Sequence, residues 1–296
     1  MTTKRSARKL LVLTSPEEMQ AWALATRRKG KTIGFVPTMG ALHEGHLSLM
    51  RQERAENHCV VVSIFVNPMQ FGKEEDFDVY PKRLEDDKKG LCSVGVDVLF
   101  LPNNRSMYPH GFETAVVAGP LAKRWCGKSR PGHFDGVLTV VAKLFALVQS
   151  HHAYFGEKDY QQFLLIKRMA QDLNLPVLVV GCPIYREPDG LAMSSRNYNL
   201  NKTNRKHAVK LSQVIETLQR QTLAGETSVT KLKASARDAL QKIPRSDIDY
   251  LAIVDVETLV PLKRIGSRAR VLLAVRFQQK PGVRLIDNGL LELTVS

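Results

Sequence analysis

Residues 35–46 read FVPTMGALHEGH and carry two histidines, His43 and His46, three positions apart. An apolar strand is predicted just before them, at 32–36, and a Pro/Gly turn separates that strand from the start of a predicted helix. A helix N-terminus offers unpaired N–H groups and the positive end of its dipole, and two imidazoles one turn apart lie on the same face. The segment therefore predicts a binding site for nucleotide phosphates.

Two other interpretations of nucleotide or metal motifs fail on spacing. A zinc-protease helix needs the pattern HExxH, but only Gly45 lies between Glu44 and His46. Residues 127–129, GKS, end like a phosphate-binding P-loop, yet position 122, where that motif requires a glycine, is an alanine. The sequence has no GxGxxG motif either. We therefore favour the phosphate interpretation over a chance pair or a fragment of a metal site.

The composition is that of a globular protein with a basic surface. The chain has 296 residues, 44% hydrophobic and 24% charged, which is enough for two domains. Its formal charge of +14 is scattered and mixed with acidic residues, so we expect it to favour anionic substrates and not specific nucleic-acid binding. No apolar run approaches the roughly 18 residues of a membrane span. The four cysteines form no CxxC pair, which favours reduced thiols and a cytoplasmic location.

Apolar strands alternate with amphipathic helices up to about residue 185, which predicts a parallel sheet covered by helices on both faces. Ligands bind such sheets at the carboxyl ends of the strands, where residues 37–46 leave the first strand. After Pro188-Asp189-Gly190 the pattern changes, and two helices followed by three strands indicate a smaller domain. The expected architecture is α/β: a Rossmann-like, doubly wound parallel sheet in 1–186 and an α+β domain in 187–296. The predicted strands of the first domain are 32–36, 59–66, 97–101, 153–156 and 177–181, with helices at 47–57, 82–94, 137–148 and 160–173; the second has helices at about 202–222 and 228–242 and strands at 248–254, 270–277 and 283–293.

Polar residues follow two more of the predicted strands. Gln70 lies in NPMQFG, residues 67–72, and its amide can bind a carboxylate or hydroxyl without adding a charge, although a glutamine at a strand end is often only a turn cap. Lys158 lies in FGEKDYQQ, residues 155–162, between Glu157 and Asp159. It is either half of a surface ion pair or, beside a helix N-terminus, a cation for nucleotide phosphates and departing pyrophosphate.

Three further segments carry charged or hydroxyl side chains. Residues 186–196, REPDGLAMSSR, form a predicted loop whose serines and arginine could close over a triphosphate, although such loops are commonly just solvated. Residues 128–136, KSRPGHFDG, form a basic turn that is either structural or in contact with phosphate. Asp86 and Asp87 could hold Mg²⁺, but a carboxylate pair on a basic helix is more often a solvated face.

Four of these motifs resemble one known family. The HxGH form resembles the "HIGH" signature of the adenylate-forming nucleotidyltransferase superfamily, and MSSR at 193–196 resembles its "KMSKS" loop. VPTMGALHEGH and VVVSIFVNPMQFG, with RPGHF at 130–134, are similar to the pantoate–β-alanine ligase family. The likeness is dense over 32–200 and looser through the later DYLAIVD and RLIDN. The sequence departs from the family at 197–200, where NYNL replaces the usual RNxYL, and at Gly90, which interrupts a helix.

The resemblance implies an ATP-dependent ligase with two half-reactions. Pantoate and Mg²⁺-ATP would give pantoyl adenylate and pyrophosphate, and β-alanine would then displace AMP. It implies a homodimer through the first domain, a second domain that closes over the ATP site, and no organic prosthetic group, nucleic acid or membrane partner. The residues and the resemblance together assign catalysis to His43, His46, Lys158 and Arg196; ATP contacts to Met39, Gly40, His43, His46, Gly156, Glu157, Lys158, Asp159, Tyr185, Met193, Ser194, Ser195 and Arg196; substrate contacts to Gln70 and Gln162; further phosphate contacts to Arg130 and His133; and Mg²⁺ to Asp86 and Asp87.

Three other functions fit the sequence less well. Another HxGH nucleotidyltransferase, acting on a phosphate acceptor, would need more cations where this chain has Gln70 and Gln162. A basic RNA-binding protein would need a contiguous basic patch with interleaved aromatics, which make up only 7% of the chain. An aminoacyl-tRNA synthetase would need chain beyond the small second domain to bind an anticodon.

Overall fold

A computed structural model describes residues 10–72 and 83–294. They form two compact units. The first contains the chain up to Glu157 together with Gln161–Pro183, and the second contains Lys158–Tyr160 together with the chain from Ile184 onward. The boundary at 183/184 lies three residues before the expected one, and the short segment around Lys158 groups with the second unit. The predicted helix start at position 82 lies outside the described residues.

The first unit is built on a six-stranded sheet in which every strand pair is parallel. Its order, β1-β4-β3-β2-β5-β6, places β2 between β3 and β5, so the segments that follow these three strands leave the same edge side by side. All six residues of β3 are buried, as expected for a strand covered on both faces. The predicted fold class is confirmed. The strands are β1 Leu11–Leu13, β2 Ile33–Thr38, β3 Cys59–Ile64, β4 Val98–Phe100, β5 His152–Gly156 and β6 Leu178–Cys182.

Helices cover this sheet. The helix α6 is buried along most of its length and begins at His133, four residues before the predicted start, because Gly132 reverses the chain in the left-handed conformation (φ 77°). The structure adds β1 and the helix α1, which the sequence analysis missed. The helices are α1 Pro16–Arg28, α2 Glu44–Glu56, α3 Leu84–Ser93, α4 Asn104–Met107, α5 Cys126–Ser129, α6 His133–Val148 and α7 Tyr160–Asp172, with short 3₁₀ turns at Pro68–Gln70, Pro120–Lys123 and Glu157–Asp159.

The second unit packs helices on a three-stranded antiparallel sheet of order β7-β8-β9. Alternate residues of β8, including Val271, Leu273 and Val275, face a core shared with Leu211, Ile215 and other residues of the helices. The predicted helix at 202–222 is divided in two at Val209. The elements are α8 Lys202–Ala208, α9 Lys210–Leu223, α10 Val229–Gln241, β7 Ser246–Val254, β8 Arg268–Phe277 and β9 Val283–Glu292. Within the described residues, none of the helices combines the length and apolar character needed to cross a membrane.

Candidate functional site

The two histidines of the HxGH motif stack at the start of α2. Their ring centroids lie 4.0 Å apart with an interplanar angle of 32°. The backbone N–H of His43 donates to Nδ1 of His46 at 3.3 Å. Because Nδ1 of His46 accepts a hydrogen bond, a neutral ring carries its proton on Nε2, which is then a donor directed away from the backbone. This geometry suits a phosphate oxygen placed beside the helix N-terminus.

Asp87 holds the turn that leads into this motif. Its two carboxylate oxygens accept hydrogen bonds from the backbone N–H groups of Ala41 at 3.0 Å and Leu42 at 2.7 Å. Both Gly40 and Ala41 adopt positive φ, 85° and 49°, and Ala41 is a residue type that rarely does so. Burial raises the pKa of Asp87, although the two N–H bonds oppose that effect.

Its neighbour Asp86 has a different environment. Asp86 is exposed and pairs with Lys89 at 3.3 Å. The two carboxylates predicted to hold Mg²⁺ therefore serve a buried turn and a solvent-facing ion pair, so neither environment resembles a metal cage. Among residues 10–72 and 83–294, no three His, Cys, Asp or Glu side chains are grouped so that they could hold a metal. The Mg²⁺ assignment stays a prediction.

The amide of Gln70 meets Met39 at the carboxyl edge of the sheet. Gln70 Nε2 lies 3.2 Å from the sulfur of Met39, and Gln70 Oε1 accepts from Asn67 Nδ2 at 3.2 Å. Asn67, which is buried, also donates to the carbonyl of Gly136 at 3.0 Å and accepts from the Tyr108 hydroxyl at 2.7 Å. The sequence analysis did not assign a role to Asn67. Asn67 directly precedes the 3₁₀ turn Pro68–Gln70 and caps it by accepting from the N–H of Met69 at 3.2 Å, and the Asn-Pro pair is the sequence signal for this role.

The basic turn at the start of α6 supports the backbone of Gln70. His133 lies with Nδ1 2.8 Å from the Gln70 carbonyl, and Arg130 donates to His133 Nε2 at 2.8 Å. Since a guanidinium can only donate, Nε2 of His133 is the acceptor, and Nδ1 carries the proton given to Gln70. A Cβ on Gly136 would lie 2.2 Å from the carbonyl oxygen of Met69, so this close packing requires glycine. The predicted phosphate contacts of Arg130 and His133 stay predictions.

Gln162 is half-buried in the first turn of α7. Its neighbour Gln161 is buried and structural: Gln161 accepts from the N–H of Cys126 at 3.1 Å and donates to the carbonyls of Leu121 and Arg124. Gly156 ends β5, and the carboxylate of Glu157 lies against Gly181 on β6.

The hydrogen bonds of Gln70 and of the basic turn at α6 join Met39, Gln70, His133 and Arg130 into one connected cluster in the first unit.

Lys158 begins the short segment that groups with the second unit. The Lys158 side chain is only 17% exposed, and its ammonium is 3.9 Å from the Asp159 carboxylate, at the limit of an ion pair. The Lys158 carbonyl accepts from Asn288 Nδ2 at 2.9 Å. The Tyr160 hydroxyl donates to the Val256 carbonyl at 2.9 Å. The Lys158–Tyr160 segment is therefore more than half of a surface ion pair, because hydrogen bonds hold both the Lys158 carbonyl and the Tyr160 hydroxyl.

The loop that contains Ser194, Ser195 and Arg196 is tied at both ends. The carbonyl of Tyr185 accepts from the N–H of Met193 at 3.0 Å, and Ser194 Oγ accepts from the N–H of Arg196 at 3.3 Å. Both serines are half-buried, whereas Arg196 and Tyr185 are exposed. These residues therefore present hydroxyl groups and a guanidinium from a fixed backbone.

Further along this loop, side chains that the sequence analysis did not single out carry the structure. Asn197 donates to Glu187 at 2.6 Å and to the carbonyl of Ala192 at 3.1 Å. Arg205 bonds Glu187 at 2.6 Å and Asp189 at 2.7 Å, and its hydrogen bond lowers the pKa of Asp189. The loop is therefore anchored by side-chain hydrogen bonds even though its residues 197–200 differ from the usual sequence of the family.

Comparisons with known proteins agree on one family. The family model for pantoate-beta-alanine ligase matches residues 11–290. A pantothenate synthetase from Thermotoga neapolitana is 50% identical over 280 residues, which cover 95% of this chain and 99% of the relative. A solved pantothenate synthetase from Thermus thermophilus has a TM-score of 0.89 at 48% identity, covering 95% of this chain and 99% of that one. The pantoate-beta-alanine ligase of Francisella tularensis, solved in complex with beta-gamma ATP and β-alanine, has a TM-score of 0.77 at 36% identity and covers 95% of this chain and 98% of its own.

The stacked HxGH histidines, the Gln70 cluster and the MSSR loop therefore lie in a chain of which 95% matches these proteins in sequence and fold. The chain belongs to the pantoate-beta-alanine ligase family.

Proposed function

We propose that this chain condenses pantoate with β-alanine to give pantothenate, using ATP and releasing AMP and pyrophosphate. In the first step a carboxylate oxygen of pantoate attacks the α-phosphorus of ATP, and the bond to pyrophosphate breaks. In the second, the amine of β-alanine attacks the acyl carbon of the resulting mixed anhydride. The bond to AMP then breaks and the amine loses a proton. A carboxylate is a poor acyl donor until it becomes such an anhydride.

The observation that carries this proposal is the Gln70 cluster beside the stacked histidines. The amide of Gln70 is bounded by a thioether and another neutral amide, so it can bind a hydroxy acid without introducing a competing charge. With Nδ1 of His46 accepting from the His43 N–H, its Nε2 would donate to phosphate oxygens. Such an arrangement would join two anions by positioning and by donors fixed before reaction.

The remaining roles follow from charge and placement. Lys158 would neutralise charge on the phosphates as pyrophosphate leaves, and Ser194, Ser195 and Arg196 would bind the triphosphate from the anchored loop. Gln162 would help Gln70 orient pantoate. Mg²⁺ would enter as part of the ATP complex, because it keeps its waters and is usually held by substrate phosphates with one or two carboxylates. We also propose closure of the second unit over ATP, and, from the cysteine spacing, action in the cytoplasm.

The test is ATP–pyrophosphate exchange with pantoate present and β-alanine absent. We expect exchange to require pantoate, and AMP to accumulate only when β-alanine is added. Exchange of equal rate without pantoate, or turnover that yields ADP, would contradict an adenylate intermediate. Exchange that depended on a phosphorylated acceptor would favour the alternative, another HxGH nucleotidyltransferase.

A homodimer through the first unit is a separate proposal, supported by the family resemblance. Light scattering coupled to gel filtration should give twice the chain mass of 33.2 kDa. A mass equal to that of a single chain across micromolar concentrations would contradict it.

A further inference from the structure

Strand β9 contains RLIDN, residues 284–288, and two of its polar residues are almost completely buried. Asp287 is 3% exposed and Asn288 is 2% exposed. Buried charges and amides are costly unless they are paired, so side chains of this kind in a small sheet require partners. Their partners in the second unit are the two segments that carry the predicted ATP contacts.

Asp287 binds the first residue of the 186–196 loop. Its two oxygens accept from the guanidinium of Arg186 at 2.8 and 3.0 Å, a bidentate pair. The same guanidinium donates to the carbonyl of Gly190 at 3.0 Å. Bidentate guanidinium–carboxylate pairs fix direction as well as distance. Asp287 therefore sets the position of the strand–turn segment from which Ser194 and Arg196 follow.

Asn288 binds the other segment. Its Nδ2 donates to the carbonyl of Lys158 at 2.9 Å, and its Oδ1 accepts from Nε of Arg270 at 3.0 Å. The Arg270 guanidinium lies 3.8 Å from the centroid of the Tyr160 ring, in cation–π contact. The Lys158–Tyr160 segment is thus held at its first carbonyl and at its last side chain.

The two adjacent side chains act on opposite faces of β9. Successive strand residues alternate, and Gly289, the next residue on the Asp287 face, approaches α9 so closely that a Cβ there would lie 2.3 Å from Ile215. Arg270 lies opposite Leu290 in the β8–β9 register, so it shares the other face with Asn288. A single strand therefore fixes the Lys158 segment on one face relative to the Arg186 loop on the other.

We propose that Asn288, Arg270 and Asp287 are positioning residues for adenylate formation. Asn288 and Arg270 act through Lys158, and Asp287 acts through the 186–196 loop. This inference rests on the proposed function, in which Lys158 and Ser194–Arg196 bind the phosphates of ATP. A lysine ammonium on a four-carbon stem is directed only if its backbone is fixed, so the carbonyl anchor at Lys158 controls where the charge lies.

The decisive variant is Asn288→Ala, with Gln219→Ala as its matched control. Gln219 also donates an amide hydrogen to a backbone carbonyl, that of Leu290 on the same strand, at 3.0 Å. Both variants lose one such bond, but only Asn288→Ala releases Lys158, together with Arg270, whose guanidinium holds Tyr160 of the same segment. At saturating ATP, well below the melting temperature, Asn288→Ala should form pantoyl adenylate about 10- to 100-fold more slowly, as expected for a displacement of about 1 Å. Gln219→Ala should keep the wild-type rate. The Kd for pantoate should be unchanged in both.

A double-mutant cycle with Lys158→Ala separates positioning from general loss of stability. If Asn288 acts through Lys158, its penalty should disappear in the Lys158→Ala background. Asp287→Asn should still slow that background, because it acts through the other segment. An equal Asn288→Ala penalty in both backgrounds, or a wild-type rate for Asn288→Ala beside a slow Lys158→Ala, would overturn this inference alone. A wild-type rate for Lys158→Ala would contradict the proposed function itself. If Asn288→Ala does not fold, Asn288→Ser, whose side chain is too short to reach the carbonyl, should give the same result.

Discussion

Replacing Asp87 by alanine should loosen the turn that precedes the HxGH motif. The change removes the acceptor for two backbone N–H groups, at 3.0 and 2.7 Å, from a side chain that is 3% exposed. Hydrogen bonds to a charged group contribute about 1.5–3 kcal/mol each, part of which water entering the vacated space restores. The positive φ of Ala41 also costs roughly 1–3 kcal/mol and persists only while its surroundings enforce it.

We therefore expect Asp87→Ala to lower the free energy of unfolding by about 2–4 kcal/mol, measured by urea titration. Adenylate formation should slow at every Mg²⁺ concentration, because the backbone turn directly before His43 is no longer held in one conformation. Asp86→Ala is the control: its exposed pair with Lys89 contributes only about 0–1 kcal/mol, so stability and rate should hardly change.

A Mg²⁺ titration of both variants decides between the two roles of this carboxylate pair. If Asp87 supports the turn, the Mg²⁺ concentration for half-maximal rate stays at the wild-type value while the maximal rate falls. If Asp87→Ala instead keeps its stability and regains the full rate at high Mg²⁺, the turn-supporting role is refuted and the metal assignment gains support.

Three further predictions concern single substitutions. His46→Ala should slow single-turnover adenylate formation by roughly 10²-fold or more, the loss of one preorganised donor, and a wild-type rate would contradict its catalytic role. Gln70→Ala should weaken pantoate binding by about 1–3 kcal/mol in calorimetry with ATP binding nearly unchanged, and the reverse pattern would refute the substrate assignment. Burial raises the pKa of Glu53 well above 4.5, so the folded state keeps a proton that the unfolded chain releases. The resulting stabilisation is complete below about pH 4.5 and is lost as the pH rises through the folded-state pKa of Glu53. Over that pH range the wild type should therefore lose stability relative to Glu53→Gln. Free energies of unfolding from urea titration that change with pH in the same way in both proteins would contradict this.

The central sheet could be predicted because its strands are continuous apolar runs, as in β3, where burial on both faces leaves no polar position. β1 was missed because it is a three-residue edge strand with Leu11 and Val12 exposed, so neither length nor alternation marks it. The helix α1 does have a local signal, since Ser15 and Glu18 form a capping box and Pro16 stands in the first turn, so its start can be read from the sequence. The division of the 202–222 helix at Val209 involves neither glycine nor proline, so no local rule indicates it.

Residues of candidate chemistry that follow a strand could be placed from the sequence. His43 follows β2 and Gln70 follows β3, and these two strands are neighbours in the sheet of the first unit, so the segments that carry both residues leave the same edge. The supporting side chains could not be found in this way, because their partners are distant in sequence. Asp87 reaches back 46 positions to Ala41, and Asn67 binds Gly136 69 positions ahead. Sequence patterns report faces and caps, whereas these contacts depend on how separate elements pack.

The second unit also contains side chains whose role depends on contacts between distant elements and not on a local sequence pattern. RLIDN places two adjacent polar residues, Asp287 and Asn288, in β9, and because both are buried each is costly unless it has a partner. Buried polar residues of this kind concentrate where function requires precise geometry, because a hydrophobic pair would be equally stable without fixing direction. Asp287 and Asn288 each bind one of the two segments assigned to ATP, 101 and 130 positions away along the chain. Two adjacent buried polar residues in one strand are therefore evidence that the strand does more than complete a core.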